Sequence, residues 1–229
     1  MTTVQQTDRI LNVYKPAGIS SYDVVRKVKR LSGIRKIGHG GTLDPFAEGV
    51  LLVLMGQATK RMIDLLRCPK TYECILKLGQ STKSGDPTTS VVNSSEVPIL
   101  TPEILEKIRL SFLGEIDQTP PRFSAKKIDG QRAYKLARRD VEFTLKPKKI
   151  MIYDLKPEIV DASHIQIVVT CSSGTYIRKL GEDFALALGT VGHLIFLKRV
   201  QVGDYRSDDA ISFDGLDSLF ESAKQAVIA

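Results

Sequence analysis

The sequence has only three cysteines and three histidines, and it has no long apolar run. Cys68, Cys74 and Cys171 are an odd number, form no C-x-x-C pair and have no histidine at ligand spacing. This argues against a zinc site or a disulfide framework and favours a reducing compartment. Residues 1–8 are polar and do not resemble a signal peptide, and no apolar run approaches the roughly 18 residues that a membrane span needs. We therefore expect a cytoplasmic protein that does not insert into a membrane.

Acidic residues are outnumbered by basic ones. The chain has 33 Lys and Arg against 26 Asp and Glu, a net charge of +7 with a pI near 9.3. This balance favours a polyanionic partner, although an ordinary basic cytosolic protein has the same composition. Residues 122–149 hold ten basic against three acidic residues, which equals the excess of the whole chain. A run of this kind usually forms a solvent-exposed face, so its charge alone does not show that it binds a polyanion.

The chain shows neither internal repeats nor low-complexity tracts, and its length suits one domain better than two full ones. Apolar runs predict strands at residues 10–14, 50–55, 71–78, 150–160, 165–171 and 193–202. Helical spacing predicts helices after residue 20 and over residues 58–66, 131–139, 175–188 and 216–226. Because strands and helices do not alternate regularly, we expect an α+β fold with a mixed, largely antiparallel central sheet and flanking helices.

Two further segments have clear local signals. Thr101 with Pro102 predicts a helix start, since threonine caps the helix and proline suits its first position. The buried stripe of that helix is expected to contain Ile104, Leu105, Ile108 and Phe112. Residues 81–95 are rich in Ser, Thr, Gly, Asp and Pro, which predicts a surface loop.

The most informative stretch is a glycine-rich segment without periodicity, residues 33–49, which contains His39, Asp44 and Glu48. Proline after Asp44 biases the aspartate toward an extended backbone, and the glycines before it permit close approach by a ligand. This pattern is typical of a functional loop. On its own, however, an Asp-Pro in such a loop is more often a turn or a helix start than a catalytic group.

Four motifs change that balance, and they occur in a fixed order: NVYKPAG at 12–18, GHGGTLDP at 38–45 followed by GVL at 49–51, KTY at 70–72, and CSSGTYIR at 171–178. In order and spacing they closely resemble the TruB-type tRNA pseudouridine synthases, from about residue 10 to residue 213. The resemblance implies the pseudouridine synthase catalytic fold and an isomerisation that needs neither metal nor cofactor. The expected substrate is a uridine in the T loop of tRNA, at position 55, which becomes pseudouridine.

The resemblance also implies roles for three catalytic residues. Asp44 falls on the family's catalytic aspartate, and glycosidic cleavage with a covalent intermediate does need an ionised nucleophile beside the sugar. Arg178 matches the arginine that pairs with this aspartate and would keep it ionised and oriented. Tyr72 matches the tyrosine that stacks on the target base and helps to remove the C5 proton. Outside the motifs, Arg178 would be interpreted as a helix-surface arginine and Tyr72 as a half-buried strand tyrosine.

Further positions are expected to bind the RNA. His39 resembles the histidine that fills the stack vacated by the flipped nucleotide, although a lone histidine is usually structural. Tyr176, Leu197 and Lys15 match positions at the substrate pocket. The basic run matches a mobile RNA-gripping loop of the family, so we expect it to hold phosphates through Lys126, Lys127, Arg138 and Arg139.

The sequence departs from the family at Gly40, Glu48 and Phe123, where threonine, a small residue and tyrosine are respectively common. We expect residues 1–213 to form the catalytic domain, with the basic insert near 120–149. Residues 214–229 would be a short tail without a separate RNA-binding domain, so that binding centres on the T arm. We expect a monomer without an obligate protein partner. The alternatives are a non-catalytic RNA-binding or RNA-folding protein on the same scaffold, or a relative of the synthases that act within guide-RNA particles.

Overall fold

The structure is a computed structural model that describes residues 8–124, 126–128, 130–137, 139 and 141–228. Most of the polar N-terminal segment, residues 1–7, therefore lies outside the described residues. The chain divides into two compact units, one formed by Met1–Thr71 with Lys198–Ala229 and the other by Tyr72–Leu197. The C-terminal segment belongs to the first unit.

The described residues form fourteen strands: β1 (Ile10–Lys15), β2 (Ile37–His39), β3 (Glu48–Met55), β4 (Lys70–Leu78), β5 (Gln80–Thr82), β6 (Val91–Ser94), β7 (Gly114–Gln118), β8 (Lys127–Ile128), β9 (Gln131–Arg132), β10 (Lys148–Ile159), β11 (His164–Cys171), β12 (Gly192–Val202), β13 (Tyr205–Arg206) and β14 (Ile211–Ser212). The α-helices of the same residues are α1 (Ser21–Ser32), α2 (Met62–Arg67), α3 (Pro102–Phe112), α4 (Ala133–Ala137), α5 (Ile177–Ala187) and α6 (Gly215–Ile228). A 3-10 helix, Gly56–Arg61, precedes α2.

In the first unit the strand order is β14-β1-β3-β12, with β2 added to β3 and β13 to β12. The pairs β1–β3, β2–β3 and β12–β13 are antiparallel, whereas β1–β14 and β3–β12 are parallel. Strand β3 is buried on both faces, as its unbroken apolar run predicts. One face packs against α1 and α6 around Val24, Val28 and Leu216, and the other packs against Leu65 and Val202.

Local sequence signals explain the limits of helix α1 and the position of α6. Ser20 caps α1 and forms a capping box with Asp23, and the helix ends at Gly33, whose φ of 71° suits glycine. The segment expected to be a short tail forms α6. Its residue Leu216 is fully buried in the same core as α1, so this segment is part of the first unit's packing.

In the second unit the strand order is β12-β4-β11-β10-β7, and β5–β6 and β8–β9 form separate two-stranded ladders. Strand β10 pairs antiparallel with both β11 and β7. Thr101 caps α3 as predicted. Leu105 and Ile108 are buried, but the assignment of Ile104 to the buried stripe is wrong, because its side chain is 41% exposed on the first turn.

The prediction that residues 81–95 are only a surface loop is wrong. The segment contains part of β5 and all of β6, and Thr82, Ser84 and Asp86 are buried. Their polar groups bond to one another, which compensates for burial of a composition that is otherwise typical of loops. The fold class itself is confirmed: α+β, with mixed but largely antiparallel strand pairing and flanking helices. No helix among the described residues has the length and apolar character to cross a bilayer.

Candidate active site

Asp44 lies in the loop that joins β2 to β3, and the main chain on both sides of it is hydrogen-bonded. The Ser21 hydroxyl accepts from the Leu43 amide at 2.8 Å and donates to the Leu43 carbonyl at 3.1 Å. The Gly18 amide donates to the Pro45 carbonyl at 2.8 Å. The half-buried carboxylate is therefore carried by a backbone that is anchored to the start of α1 and to the turn before it.

Lys15 supplies a buried cation beneath this loop. Its side chain is fully buried, and its ammonium donates to the carbonyls of Pro16 and Ile19 at 2.8 Å and of Pro45 at 3.4 Å. Lys15 was expected to bind substrate. Its ammonium bonds to the protein main chain, which gives it a part in holding the turn around Pro45, and its role toward substrate stays a prediction.

Arg199 supplies a second buried cation. Its side chain is 1% exposed, its Nε donates to the Val50 carbonyl at 2.7 Å, and its Nη2 donates to the Gly41 carbonyl at 3.0 Å. A longer contact of 3.4 Å joins Nη1 to the Thr42 carbonyl. The Asp44 loop is thus flanked by two cations whose described hydrogen bonds all go to carbonyl oxygens.

The environment of Lys15 shifts its titration. Burial lowers the pKa of Lys15 from 10.5 to about 8, and the positive charge of Arg199 acts in the same direction. The negative charges of Asp44, Glu48 and Asp23 oppose the shift. Lys15 therefore remains largely protonated at neutral pH, but much less firmly than an exposed lysine.

We expect Lys15 to make stability depend on pH in a defined window. Below about pH 8 both folded and unfolded chains hold the proton, whereas between pH 8 and 10.5 only the unfolded chain does. The free energy of unfolding of the wild type should therefore rise across this window relative to Lys15→Met, by on the order of 3 kcal/mol in total. Urea unfolding of both proteins from pH 7 to pH 10.5 measures this, and parallel pH curves would contradict the shift.

His39 ends strand β2, next to the loop. Burial lowers the pKa of His39 below its usual 6.5, and the charge of Arg199 adds to this effect. The imidazole is therefore neutral at physiological pH. The following amide, of Gly40, donates to the Leu52 carbonyl at 2.8 Å, so the backbone beside His39 is held against β3.

The structure describes the contacts of the three residues that depart from the family pattern, Gly40, Glu48 and Phe123. Glu48 accepts a hydrogen bond of 2.7 Å from the Tyr14 hydroxyl, which gives its carboxylate a partner inside the first unit. A Cβ added at Gly40 would lie 3.4 Å from that of Leu52, close to ordinary contact. Phe123 contributes its main chain, since its carbonyl accepts from Arg178 at 2.8 Å.

In the second unit, Arg178 lies in the first turn of α5 and is 4% exposed. Its Nη1 donates to the Ser84 carbonyl at 2.5 Å and lies 3.5 Å from the Asp86 carboxylate, which is also buried. Arg178 is therefore a buried residue of α5 and not a helix-surface arginine. The guanidinium is held by the polar turn at residues 84–86.

Tyr176 is the N-cap residue of α5, and its main chain is held by Gln118. The Gln118 carboxamide accepts from the Tyr176 amide at 2.8 Å and donates to the Tyr176 carbonyl at 3.1 Å. Gln118 is only 3% exposed, so this double contact is shielded from water. Tyr72 on β4 and Leu197 on β12 are both buried, at 9% and 4% exposure.

The predicted phosphate-binding residues are only partly within the described residues. Lys126 is half-buried and Arg139 is exposed, whereas Arg138 lies outside the described residues and only the backbone of Lys127, in β8, is described. A cavity of about 340 Å³ lies beside this segment and beside Tyr176. It is lined by Gln118, Pro120, Lys126, Lys148, Ile150, Gly174 and Tyr176.

Four residues at these positions were not identified as functional from the sequence: Ser21, Asp86, Gln118 and Arg199. Ser21 lies at the predicted start of a helix, and Asp86 lies in a segment predicted to be a loop. Gln118 and Arg199 lie in strands and carry no local pattern. The available signal for Arg199 is a charged residue inside a largely apolar strand, β12, although the same strand also contains the partly exposed Lys198.

The described residues contain no group of three or more His, Cys, Asp and Glu side chains that could hold a metal ion. Cys68, Cys74 and Cys171 all lie in the described part and are not in disulfides. Burial raises the pKa of Cys74 to about 12, so its thiol is not a nucleophile at neutral pH.

Residues 29–177 match the family model described as TruB family pseudouridylate synthase (N terminal domain). The tRNA pseudouridine synthase B of Clostridium kluyveri is 43% identical over 211 residues, covering 92% of this chain and 73% of that protein. That of Psychrobacter cryohalolentis is 40% identical and covers 92% of this chain but 60% of its relative. A solved Cbf5-Nop10-Gar1 complex contains a chain of 28% identity with a TM-score of 0.75, covering 98% of this chain and 57% of that one.

These matches define the class of protein as a pseudouridine synthase, an isomerase of the kind that modifies tRNA. The chain belongs to the TruB family of pseudouridylate synthases. It spans between about 60% and 73% of the length of the relatives named above.

Proposed function

We propose that this protein converts the T-loop uridine of tRNA, at position 55, into pseudouridine, with Asp44 as the covalent nucleophile. The observation that carries the proposal is the anchoring of the Asp44 loop by Ser21, Lys15 and Arg199 in a chain of this family. A nucleophile must be held close to its reaction geometry, and an anchored main chain provides that.

The reaction is an isomerisation, so it needs no external reactant. The bond between N1 and C1′ breaks while Asp44 forms a covalent bond with the nucleotide. The uracil then turns and C5 bonds to C1′, and the bond to Asp44 breaks so that the free carboxylate is regenerated. The hydrogen of C5 is lost to water while N1 gains a proton. Because the base is retained and reused, no second carboxylate is needed to activate water, in contrast to glycosidases.

The remaining residues have supporting roles in this proposal. Arg178, fixed by Asp86 and Ser84 within its unit, serves as the counter-charge of the Asp44 carboxylate during the reaction. Tyr72 stacks on the uracil and assists removal of the C5 proton, and Tyr176 and Leu197 line the base pocket. His39, neutral because of its lowered pKa, suits insertion into the stack that the flipped nucleotide leaves.

The main competing function is an RNA-binding or RNA-folding protein that does not catalyse. Such a protein has no need to anchor a carboxylate loop with two buried cations, whose burial is costly unless they are hydrogen-bonded. The anchoring around Asp44 therefore favours the enzyme.

The deciding experiment is incubation of the purified protein alone with a T-stem-loop transcript tritiated at C5 of uridine. The enzyme must release tritium to water, in an amount that matches the pseudouridine formed. Because the protein is tested without additions, the assay also tests our proposal that it acts without an obligate protein partner. Light scattering of the same sample tests the proposed monomer. Tight binding of the transcript with no release would support the non-catalytic alternative.

We expect the basic segment to bind phosphates. Changing Lys126, Lys127, Arg138 and Arg139 together to glutamine should weaken RNA binding and flatten the dependence of log Kd on log salt, by about 0.7 to 0.9 for each phosphate that the variant no longer neutralises. Binding measured between 50 and 200 mM salt gives this slope.

Lys107 and Lys156, exposed on α3 and β10 outside the segment, provide a control for loss of net charge. Glutamine at these two positions should change the salt slope far less for each charge removed. Equal effects per charge would show that the segment contributes only its charge and not specific contacts.

A further inference from the structure

Arg199 has an unusual set of partners for a charged residue. It lies in β12 with its side chain 1% exposed, and its described hydrogen bonds go to the main-chain carbonyls of Gly41, Thr42 and Val50. A buried guanidinium that only filled space would be costly, since removal of a charge from water must be compensated by hydrogen bonds. These carbonyls are therefore the reason why an arginine is tolerated here.

The three carbonyls belong to the two ends of the loop that contains Asp44. Gly41 and Thr42 precede the aspartate, and Val50 follows it inside β3. One planar side chain thus ties the entry of the loop to its exit. The five donors of a guanidinium are arranged in a rigid fork, which suits acceptors that diverge in this way, whereas an ammonium is a compact group.

The main chain of Arg199 is also fixed against the loop's exit. Strands β12 and β3 pair in parallel here, with Arg199 opposite Gly49. Gly49 has a φ of 104°, and a Cβ at this position would lie 2.3 Å from the Arg199 carbonyl oxygen. Only glycine permits this approach, so the position from which the Arg199 side chain starts is determined by the backbone.

We propose that Arg199 is a positioning residue for the reaction: it holds the loop so that the Asp44 carboxylate stays in attacking position. This inference rests on the proposed function. Arg199 acts through the main chain at Gly41, Thr42 and Val50 and does not itself touch the substrate. Its removal takes this donor from three carbonyls, and the loop then relaxes away from the attacking geometry.

The test compares Arg199→Met and Arg199→Lys with wild type in the tritium-release assay. For Arg199→Met we expect kcat to fall about 100-fold, the cost typical of a displacement near 1 Å at a reacting group. The Kd for the transcript should stay within about threefold, because phosphate contacts supply most of the affinity. Arg199→Lys keeps the positive charge but loses the forked arrangement of donors. Its kcat should therefore fall by about tenfold, to a value between those of wild type and Arg199→Met.

Hydrogen exchange provides a readout that catalysis does not influence. In Arg199→Met, amides of residues 40–48 should exchange faster, while those of α1 and α6 keep their wild-type rates. Lys27→Met is the matched control, since Lys27 is a mostly buried cation of the same unit, bonded to Asp217 at 2.5 Å and lying 4.3 Å from the Phe213 ring centre. It should lower stability and loosen α6 and the second half of α1, away from the Ser21 anchor, without reducing kcat.

The outcomes separate clearly. Wild-type kcat and wild-type exchange of residues 40–48 in a folded Arg199→Met protein would overturn the inference, as would a loss of stability like that of Lys27→Met with unchanged kcat. If Arg199→Met does not fold, the kcat of Arg199→Lys and the hydrogen exchange of its residues 40–48 decide the question. If wild type releases no tritium, the proposed function fails, and the exchange of residues 40–48 alone decides whether Arg199 holds the loop.

Discussion

Asp44→Asn is expected to abolish tritium release from the T-stem-loop transcript, by more than about 10⁴-fold, as removal of a covalent nucleophile does in other enzymes. Asparagine is nearly isosteric and preserves the backbone of the loop, whose anchors at Leu43 and Pro45 are main-chain contacts. RNA affinity should therefore stay within about tenfold of wild type, since it comes mainly from phosphate contacts.

The control for Asp44→Asn is Asp209→Asn, which makes the same chemical change at an exposed carboxylate of the same unit. It should release tritium at the wild-type rate. A large loss of RNA affinity in Asp44→Asn would contradict our expectation that Asp44 acts in the chemical step and contributes little to binding. Residual turnover close to wild type would remove Asp44 from the mechanism altogether.

Arg178→Met has the second largest expected effect, because it acts on stability and catalysis together. Arg178 and Asp86 are both buried, with side-chain exposures of 4% and 7%. Removing the guanidinium leaves the Asp86 carboxylate and the Ser84 and Phe123 carbonyls without this donor. We expect the free energy of unfolding to fall by about 3 to 5 kcal/mol, the usual cost of breaking a buried pair from one side. Turnover should fall by at least about 100-fold, as expected for loss of a group that stabilises charge at a reacting centre.

Two further variants separate the causes. Lys179→Met changes the neighbouring residue of α5, whose partly exposed ammonium pairs with Asp183 at 2.6 Å and with Glu182 at 3.7 Å. It should cost no more than about 1 kcal/mol and leave turnover unchanged. Asp86→Asn combined with Arg178→Met should regain part of the missing stability but none of the activity. If the double variant also regains turnover, Arg178 has only a structural role.

Asp44 could be identified as the candidate nucleophile from the linear sequence, whereas the residues that anchor its loop could not. Asp44 belongs to a continuous motif that is visible in the linear chain, and Pro45 and the glycines limit its local backbone. The residues that hold it come from distant segments: Ser21 from a helix start, Lys15 from β1 and Arg199 from β12. No spacing rule connects these positions, so only the folded chain brings them together.

Local periodicity and capping signals were sufficient for the six α-helices and the six longest strands of the described residues, but not for the eight shorter strands. The apolar run of β3, the capping residues Ser20 and Thr101, and the glycine that ends α1 act within a few residues, and short-range sterics and hydrogen bonds determine them. Burial of polar groups does not follow from such signals. Thr82, Ser84 and Asp86 have the composition of an exposed loop, yet they are buried because they satisfy one another and Arg178.

The sequence by itself determined the positions of the helices and the longer strands, the family motifs and the candidate nucleophile, because each depends on residues that are neighbours in the chain. Tertiary structure alone decided which cations hold the Asp44 loop, which carboxylate accompanies Arg178 and which amide fixes Tyr176. The physical reason is that a buried charge or amide is stable only where its hydrogen bonds are completed. In this protein the partners that complete them are supplied by segments far apart in sequence.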